Sequence, residues 1–387
     1  MGKKSQKLRA QFRKNRSRRA RGKSWTREFK NHGFEDHDLP QEERVSGKGA
    51  LTRHRTVVGE EVAGKGGEPH LGVRLEVDPS VCRAGRVLSV HGLTCLVRDE
   101  ETGRDYDCAV RRVLKTLSTD QRHVVAAGDR VQFRPIASSD LREGVIERVE
   151  PRRGSICRAS RGRQHVLVTN VDQVLIVASA AQPRLKPHLI DRLLIAAEKM
   201  LVRPVICINK VDLVDRAGLQ PLVGVYSRMG YRVLLASATT GFGIDRLRRC
   251  LKGAESVLAG QSGVGKSSLL NAVDGGLDLP VAEVSQENQK GRHTTTTATL
   301  FPLRCGGYVV DTPGIRQFQL WDVIPEEVPG FFRDLRPYVS LCRFPNCTHT
   351  HEDQCAVKDA VADGRIDDRR YESYCYLYES GMLKTGM

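Results

Sequence analysis

The 387-residue sequence lacks any long hydrophobic run. No stretch approaches the roughly 18 apolar residues that a membrane-spanning helix needs, so we expect no membrane partner. The basic start is not followed by an apolar stretch, which argues against a secretory signal peptide. An organelle transit peptide would also be Arg-rich, but this start has few apolar residues to form its amphipathic face. No internal repeat is visible.

Cysteine is plentiful, but it shows no pattern of a secreted disulfide framework. The chain has eleven cysteines, an odd number, and most are scattered, several within apolar runs such as 205–208. Buried free thiols explain these residues, so we infer a reducing compartment and expect a cytoplasmic protein. Three cysteines near the C-terminus lie close together and form a separate group.

Positive charge is concentrated at the amino terminus. The net charge is +16, and residues 1–30 hold thirteen Lys or Arg against one acidic residue, Glu28. Residues 1–80 show no sustained apolar period, and we interpret them as a basic, disordered N-terminal extension. Such segments often contact RNA, and a solvated, solubilising tail is the alternative.

Hydrophobic periodicity divides the rest of the chain into three parts. Five short strands in 81–160 predict an all-β, OB-like barrel that would bind RNA or serve as a spacer. Strands and helices alternate over 161–324, which predicts an α/β P-loop domain. Residues 325–387 predict a small, mostly helical domain. One helix of the α/β part should bury a face formed by Leu189, Leu193, Ala197 and Met200.

The segment GQSGVGKS follows an apolar strand and precedes a helical stretch, which is the setting of a phosphate-binding loop. Its backbone N–H groups would surround phosphate oxygens, Lys266 would contact the β- and γ-phosphates, and the Ser267 hydroxyl would bind Mg²⁺. A chance match in a Gly-rich chain is the alternative. The predicted nucleotide contacts are Gly260, Gln261, Ser262, Gly263, Val264, Gly265, Lys266, Ser267 and Ser268.

A guanine-reading motif, NKVD, ends another apolar strand. The Asp212 carboxylate can accept two hydrogen bonds from guanine that adenine cannot donate, so GTP is favoured over ATP. Asn209 would brace the loop, and the stem of Lys210 would cover the base. A further strand end, where a backbone N–H would meet guanine O6, is formed by Ser237 and Ala238.

Two further segments have the pattern of switches that sense the γ-phosphate. The motif DTPG ends a strand, so Asp311 would bind Mg²⁺ through water and the Gly314 N–H would face the γ-phosphate. In the polar loop GRHTTTT, either Thr295 or Thr296 would bind Mg²⁺ in the GTP state. A loop this polar could instead be simply exposed to solvent.

The residue after DTPG departs from the usual pattern. Many small GTPases place a Gln there to orient the attacking water, and this chain has Ile315. We therefore expect slow intrinsic hydrolysis, with the water positioned by another group or by a partner. His293 is the candidate nearest in sequence, and a structural role in its loop is the alternative.

A cluster of soft metal ligands lies near the C-terminus. The spacing C-x4-C-x-H-x5-C supplies three thiolates and one imidazole, which suits tetrahedral Zn²⁺ in a structural site. His351 could replace His349 as a ligand, and free thiols or a redox pair are the alternative reading. The predicted ligands are Cys342, Cys347, His349 and Cys355.

The order of the motifs is unusual, because NKVD precedes the phosphate loop, whereas an ordinary GTPase has the reverse order. NKVD, GQSGVGKS, GRHTTT and DTPG in this order, with the barrel before them and CRFPNC-x-H-x5-C after them, resemble the RsgA (YjeQ) family of circularly permuted GTPases. The resemblance covers about residues 81–380. It implies GTP contacts at Asn209, Lys210, Asp212 and 260–268, and zinc at the four Cys and His ligands.

The same resemblance implies a function. It implies Mg²⁺-dependent hydrolysis of GTP to GDP and phosphate, stimulated by the small ribosomal subunit and used for release late in its maturation, with 16S-type rRNA as a contact. We expect a monomer. One alternative is an RNA-binding assembly protein that holds GTP with little turnover. Another is a permuted GTPase acting on the large subunit or a different RNA, against which the barrel and the metal cluster argue.

Overall fold

The computed structural model describes residues 6–11, 54–61, 73–116, 124–136, 142–160, 163–279, 298–311 and 323–379. The chain forms two compact units. The smaller unit comprises Met1–Arg86, Gly92–Val125 and Arg130–Pro151, and the larger comprises Val87–His91, Ala126–Asp129 and Arg152–Met387. Within the described ranges, no helix is long and apolar enough to cross a membrane.

Three strands occupy parts of the N-terminal segment: β1 (Gln6–Gln11), β2 (His54–Glu61) and β3 (Val73–Leu75). They form one antiparallel sheet in the order β1-β2-β3. The carbonyl of Leu75 accepts a hydrogen bond from Arg148 Nη1 at 3.3 Å. Residues 1–80 have no sustained apolar period, so these strands were not expected. Strand pairing needs only backbone N–H and C=O groups, which nearly every residue supplies.

A closed barrel confirms the all-β part predicted after the extension. Its strands are β4 (Arg83–His91), β5 (Thr94–Asp99), β6 (Asp105–Val110), β7 (Arg130–Pro135) and β8 (Glu143–Val149). They close in the order β4-β5-β6-β8-β7, with the short helix α1 (Arg112–Thr116) after β6. Gly85 lets β4 approach the core, because a Cβ there would lie 2.6 Å from Val97 Cγ1 and 2.9 Å from the Phe133 ring.

A hairpin of β9 (Ser155–Ser160) and β10 (Arg163–Thr169) belongs to the larger unit. The buried carboxylate of Asp129 holds the segment Ala126–Asp129 beside this hairpin. Asp129 accepts two hydrogen bonds from Arg152, both at 2.8 Å, and a third from Thr169 Oγ1 at 2.8 Å. The bidentate geometry satisfies both charges without water, as burial of an ion pair requires.

The predicted α/β domain contains a six-stranded sheet. Its strands are β11 (Gln173–Ser179), β12 (Arg203–Asn209), β13 (Arg232–Leu235), β14 (Glu255–Ala259), β15 (Thr299–Pro302) and β16 (Tyr308–Asp311). The order is β13-β12-β11-β14-β16-β15, parallel throughout except for β15. The central strands are continuous apolar runs because helices cover both faces of a parallel sheet.

Four helices connect these strands: α2 (Pro187–Lys199), α3 (Gln220–Arg228), α4 (Ile244–Leu251) and α5 (Lys266–Val273). The last two share a hydrophobic core with the sheet. The predicted buried face of α2 was wrong in part. The helix buries Ile190, Leu194 and Ala197, whereas Leu189 and Leu193 are only half-buried. These two leucines line a cavity beside the phosphate loop.

The C-terminal part is helical within residues 323–379. It contains α6 (Val328–Phe331), α7 (Arg336–Val339), α8 (Ala356–Ala362) and α9 (Asp368–Glu379). Helix α9 contacts α2, and its buried Tyr374 lies edge-on to Phe332 at a centroid distance of 5.7 Å. This part therefore packs on the α/β domain through its longest helix.

Candidate nucleotide and metal sites

The phosphate loop links β14 to α5 and requires glycine at two positions. Gly260 has φ 150°, and a Cβ there would lie 2.2 Å from the Val177 carbonyl oxygen. Gly265 has φ 88°, and its Cβ would lie 2.4 Å from Asn209 Nδ2. Both conformations favour a residue without a side chain. The loop backbone can thus come close to a phosphate while touching the neighbouring strands.

Lys266 begins α5 and turns its ammonium group back over the loop. Its Nζ donates to the carbonyl oxygens of Gly260 at 2.9 Å and Gln261 at 2.8 Å. Ser267 and Ser268 follow in the first turn and are half-buried. This places a positive charge, two hydroxyl groups and the first N–H groups of a helix around one small space. Such a space suits a phosphate and its metal ion.

Asn209 ends β12 and joins the phosphate loop to the loop after β13. Its Nδ2 donates to the Val264 carbonyl at 2.9 Å, and its Oδ1 accepts from the Ala238 N–H at 3.3 Å. The residue is 1% exposed. The Ala238 N–H, one of the backbone groups at the strand end that was predicted to meet the base, therefore points at Asn209. Ser237 is fully buried and accepts a hydrogen bond from the Thr240 N–H at 3.1 Å.

Lys210 and Asp212 lie beside this junction. Lys210 adopts the left-handed conformation, with φ 61°, and its Nζ donates to the Gly263 carbonyl at 2.8 Å. Its side chain thus runs alongside the phosphate loop. Asp212 lies in the 3-10 turn Val211–Leu213 and is exposed. Its carboxylate is free to receive a base edge from solvent.

Four predicted site residues lie outside the described residues: His293, Thr295, Thr296 and Gly314. Asp311 ends β16, where its Cα is paired with Thr299 on β15. Strand β16 is the neighbour of β14 in the sheet. The end of the strand that carries the DTPG motif therefore lies beside the strand that leads into the phosphate loop.

The four predicted metal ligands converge. The Sγ atoms of Cys342, Cys347 and Cys355 and a ring nitrogen of His349 all lie within 4.8 Å of one another. Cys342 Sγ is 3.4 Å from His349 Nδ1 and 3.8 Å from Cys355 Sγ. Cys355 Sγ is 3.5 Å from the same Nδ1. Four soft donors at these separations can hold one metal ion.

Neighbouring residues fix the loop that carries these ligands. Glu352 accepts from the N–H groups of Thr348 at 2.6 Å and Thr350 at 3.1 Å. Two tyrosines of α9 donate to the same loop, Tyr371 to the His349 carbonyl at 2.8 Å and Tyr374 to the Thr348 carbonyl at 2.6 Å. Burial lowers the pKa of His349, which favours the neutral imidazole that binds metals.

Comparisons with known proteins agree with this geometry. Residues 149–321 match the family model described as RsgA GTPase. The small ribosomal subunit biogenesis GTPase RsgA of Thermotoga petrophila is 41% identical over 302 residues, which is 77% of this chain and 97% of the relative. The chain belongs to the RsgA GTPase family. The protein of the same name from Chlorobaculum parvum is 40% identical and covers 77% of this chain and 97% of its own length.

Two solved structures show a similar fold. YjeQ from Thermotoga maritima has a TM-score of 0.63 and 37% identity, and the match covers 79% of this chain and all of YjeQ. YloQ, described as a circularly permuted GTPase, has a TM-score of 0.60 and 29% identity, with 78% of this chain and 95% of YloQ covered. This chain is therefore a circularly permuted GTPase preceded by a barrel.

The RsgA GTPase fold of this chain contains a buried ionic network that sequence reasoning missed. Arg370 on α9 donates to Asp334 at 2.9 and 3.0 Å and also to Asp191 on α2. Tyr226 on α3 donates to the same oxygen of Asp191 at 2.8 Å. Burial raises the pKa of Asp191, although the Arg370 guanidinium opposes that shift. The network ties the C-terminal helix to the GTPase domain.

Proposed function

We propose that this GTPase acts in late maturation of the small ribosomal subunit, which stimulates hydrolysis, and that hydrolysis is linked to release of the protein. The observation that supports this most strongly is the junction at Asn209, which joins a phosphate loop to a guanine-type motif in the permuted order. The match to this chain covers nearly the whole length of two relatives that are named small ribosomal subunit biogenesis GTPases.

The roles of the nucleotide-site residues follow from their positions. Lys266 neutralises the β- and γ-phosphates, and Ser267 binds Mg²⁺ together with Thr295 or Thr296. Asp212 selects guanine, Asn209 shapes the pocket, and the remaining loop residues surround the nucleotide. Three further roles rest on sequence alone: Asp311 holds Mg²⁺ through water, Gly314 meets the γ-phosphate and His293 positions water.

The C-terminal cluster binds one structural zinc ion. Zinc binds thiolate sulfur at about 2.3 Å and imidazole nitrogen at about 2.0 Å, so tetrahedral ligands would be separated by about 3.5–3.8 Å. Cys342 Sγ, Cys355 Sγ and His349 Nδ1 are 3.4–3.8 Å apart. The ligand set is complete without water, so the ion would hold the loop together and leave no open position for chemistry.

The remaining assignments concern the whole chain. Residues 81–160 form an RNA-binding barrel, 161–324 the GTPase domain and 325–387 the zinc domain, after a basic extension over 1–80. The partners are the small subunit and its 16S-type rRNA, and the protein acts as a cytoplasmic monomer. The net charge of +16 supports contact with RNA, because basic proteins are attracted to phosphate backbones.

A second function has one observation in its favour. Ile315 stands where many GTPases have the water-orienting Gln, so the chain could hold GTP with little turnover while binding RNA as an assembly protein. Multiple-turnover GTP hydrolysis should be measured alone, with purified small subunits and with purified large subunits. Stimulation by small subunits only is expected. Hydrolysis that no subunit accelerates would rule out the proposed function and favour this second one.

A further inference from the structure

Exposed basic side chains follow the amino-terminal edge of the six-stranded sheet, opposite the nucleotide site. Arg203 begins β12 and Arg232 begins β13, and both are exposed. Arg203 Nη2 donates to Gln173 Oε1 at 2.9 Å, and Arg232 Nη1 lies 3.8 Å from Cys250 Sγ. Since Cys250 Sγ is 3.8 Å from the same Gln173 oxygen, the two guanidinium groups lie close together at this edge.

Helices α3 and α4 end at the same edge, because each runs back to the start of the next parallel strand. Arg228 is the last residue of α3 and is exposed. Arg249 lies in the last turn of α4, Lys252 caps that helix, and Arg246 lies one turn before Arg249; all three are exposed. Residues three apart are neighbours on a helix surface, so Arg246 extends the basic surface from this edge along α4.

These cations form what we call the amino-edge basic surface, and within the described part of the chain they lack acidic partners. The hydrogen bonds of Arg203, Arg232 and Arg249 go to an amide oxygen, a sulfur and a backbone carbonyl. Among the residues that the structure describes, none of its members forms an ion pair with a carboxylate. The members are Arg203, Arg228, Arg232, Arg246, Arg249 and Lys252.

Nearby acidic groups are engaged elsewhere. Asp245 pairs with Arg248, and Asp172 accepts a hydrogen bond from the Glu255 N–H at 2.8 Å. Glu255 itself is buried. The barrel offers a contrast, because several of its arginines are paired with carboxylates, among them Arg83, Arg98, Arg111, Arg134 and Arg148. In the described residues, therefore, this edge differs from the barrel in the lack of carboxylate partners for its cations.

Helix electrostatics accounts for part of the pattern only. The negative end of a helix favours cations in its last turn, which explains Arg228 and Arg249. It does not explain Arg203 and Arg232, which begin strands, or Arg246, which lies in the first half of α4. Like charges along one edge repel each other, and a bound polyanion removes that repulsion.

We propose that the amino-edge basic surface binds the phosphate backbone of double-stranded RNA. The proposal deepens the proposed function and rests on it for the choice of RNA as the polyanion. Guanidinium groups match phosphate oxygens in pairs, so several arginines along one edge can follow successive phosphates without reading the bases. Except for Arg246, the surface lies at the opposite strand ends from Asn209 and the phosphate loop, so RNA and nucleotide bind at the same time.

The test uses the full chain and a fluorescently labelled RNA hairpin. In one variant, Arg246→Gln, Arg249→Gln and Lys252→Gln remove three charges; in the matched control, Arg246→Lys, Arg249→Lys and Lys252→Arg keep them. Binding is measured over a series of salt concentrations. Each lost phosphate contact reduces the slope of log affinity against log salt by about 0.9, so the Gln variant should lose about 2–3 units of slope and at least about tenfold in affinity.

The charge-preserving control should keep the wild-type slope. A Gln variant with the wild-type slope and affinity would overturn the proposal, and so would equal losses in both variants. A Gln variant that loses binding to polyglutamate but not to the hairpin would also overturn it, since the surface would then fit an acidic protein. A second variant, Arg203→Gln with Arg232→Gln, should reduce the slope independently, and an unchanged slope would count equally against the proposal.

The same preparations separate this inference from the proposed function. None of the altered residues contacts the nucleotide site, so basal GTP hydrolysis should stay at the wild-type rate in every variant. Absence of subunit stimulation in the wild-type chain would disprove the proposed function. The slope measured with the hairpin alone tests the surface whatever that result is.

Discussion

At the scale of single residues, the shape of the nucleotide pocket depends on one buried amide. Asn209 donates to the Val264 carbonyl and accepts from the Ala238 N–H, so it joins two loops that are far apart in the chain. An amide side chain carries both a donor and an acceptor, whereas a carboxylate of the same size only accepts. The residue type at this position is therefore determined by both neighbours.

Replacing Asn209 with Ala should weaken both loops. The buried Val264 carbonyl and Ala238 N–H would lose their partner, which we expect to cost about 1–3 kcal/mol of unfolding free energy. GTP and GDP should lose affinity together, because both contact the same loops. Urea unfolding and titration with a fluorescent guanine nucleotide test this. Asp212→Ala is the control, since that exposed residue should leave unfolding unchanged. Wild-type stability and affinity in Asn209→Ala would contradict the prediction.

Asp212 should determine which base is bound. Its carboxylate accepts from two donors of guanine, while the amide of an Asn would offer a donor to the 2-oxo group of xanthine. We expect Asp212→Asn to reduce the preference for GTP over xanthosine triphosphate by at least about 100-fold, because an unmatched polar pair in the pocket carries a large penalty. Hydrolysis rates with both nucleotides measure the preference. The wild-type preference in this variant would show that another group reads the base.

At the scale of elements, the sequence predicted strands better than helix faces. Strands β11, β12 and β14 are continuous apolar runs buried on both sides, so no choice of face was needed. For helix α2 the buried side had to be predicted. The charged residue Asp191 lies on that side and made it resemble a solvent-exposed side. That aspartate is buried because it meets Arg370, which lies 179 positions later in the chain. Local periodicity carries no information about a pair this distant, so it could not predict which side of α2 is buried.

Removing Arg370 should destabilise the contact between α9 and α2. In Arg370→Met the buried Asp191 and Asp334 lose their counter-charge while the apolar stem is kept, which we expect to cost about 3–5 kcal/mol. Arg369→Gln is the matched control. Arg369 pairs with Asp367 at 2.8 Å on the surface, and its loss should change stability by less than about 1 kcal/mol. Urea unfolding followed by circular dichroism compares the two variants.

The pH dependence of Arg370→Met gives a second measurement. The pKa of Asp191 is already raised by burial, and loss of the guanidinium should raise it further. A carboxyl group with a raised folded-state pKa contributes stability at low pH and loses it as pH rises through that pKa. The stability difference from wild type should therefore be smaller at pH 5 than at pH 8. A difference independent of pH would mean that Asp191 stays charged over this range even without its partner, and that its pKa is not raised into it.

At the scale of the whole molecule, permutation changes which parts the chain connects while the sheet stays the same. Strand β14 pairs with β11 and β16 in space, although one precedes it by about eighty residues and the other follows it. From β16 the chain continues to the C-terminal domain, whose helix α9 is fixed to α2 by Arg370. The C-terminal helices are therefore joined to the sheet twice, once by the chain that follows β16 and once by the contact between α9 and α2.

Removing the metal ion tests whether the contact between α9 and α2 depends on the zinc site. The four ligands lie within 342–355, and none of them contacts the nucleotide site, whereas α9 is held by Arg370 and by its packing on α2. Treatment with a strong chelator should release one zinc ion per chain and increase proteolysis within 342–355 at least about tenfold, because a segment this small depends on its metal for folding.

Affinity for GDP, measured after the chelator is removed and Mg²⁺ is restored, should then change by less than about threefold, since Asn209, Lys266 and the sheet keep their contacts. Cys355→Ser should reproduce the effect without chelator, and Cys375→Ser, at a half-buried cysteine outside the ligand set, should leave zinc content and proteolysis unchanged. A wild-type chain purified without zinc, or a Cys375→Ser chain that loses it, would refute the ligand assignment. Loss of GDP binding on chelation would show that the ion supports the whole GTPase domain and that the Arg370 anchor cannot hold α9 on its own.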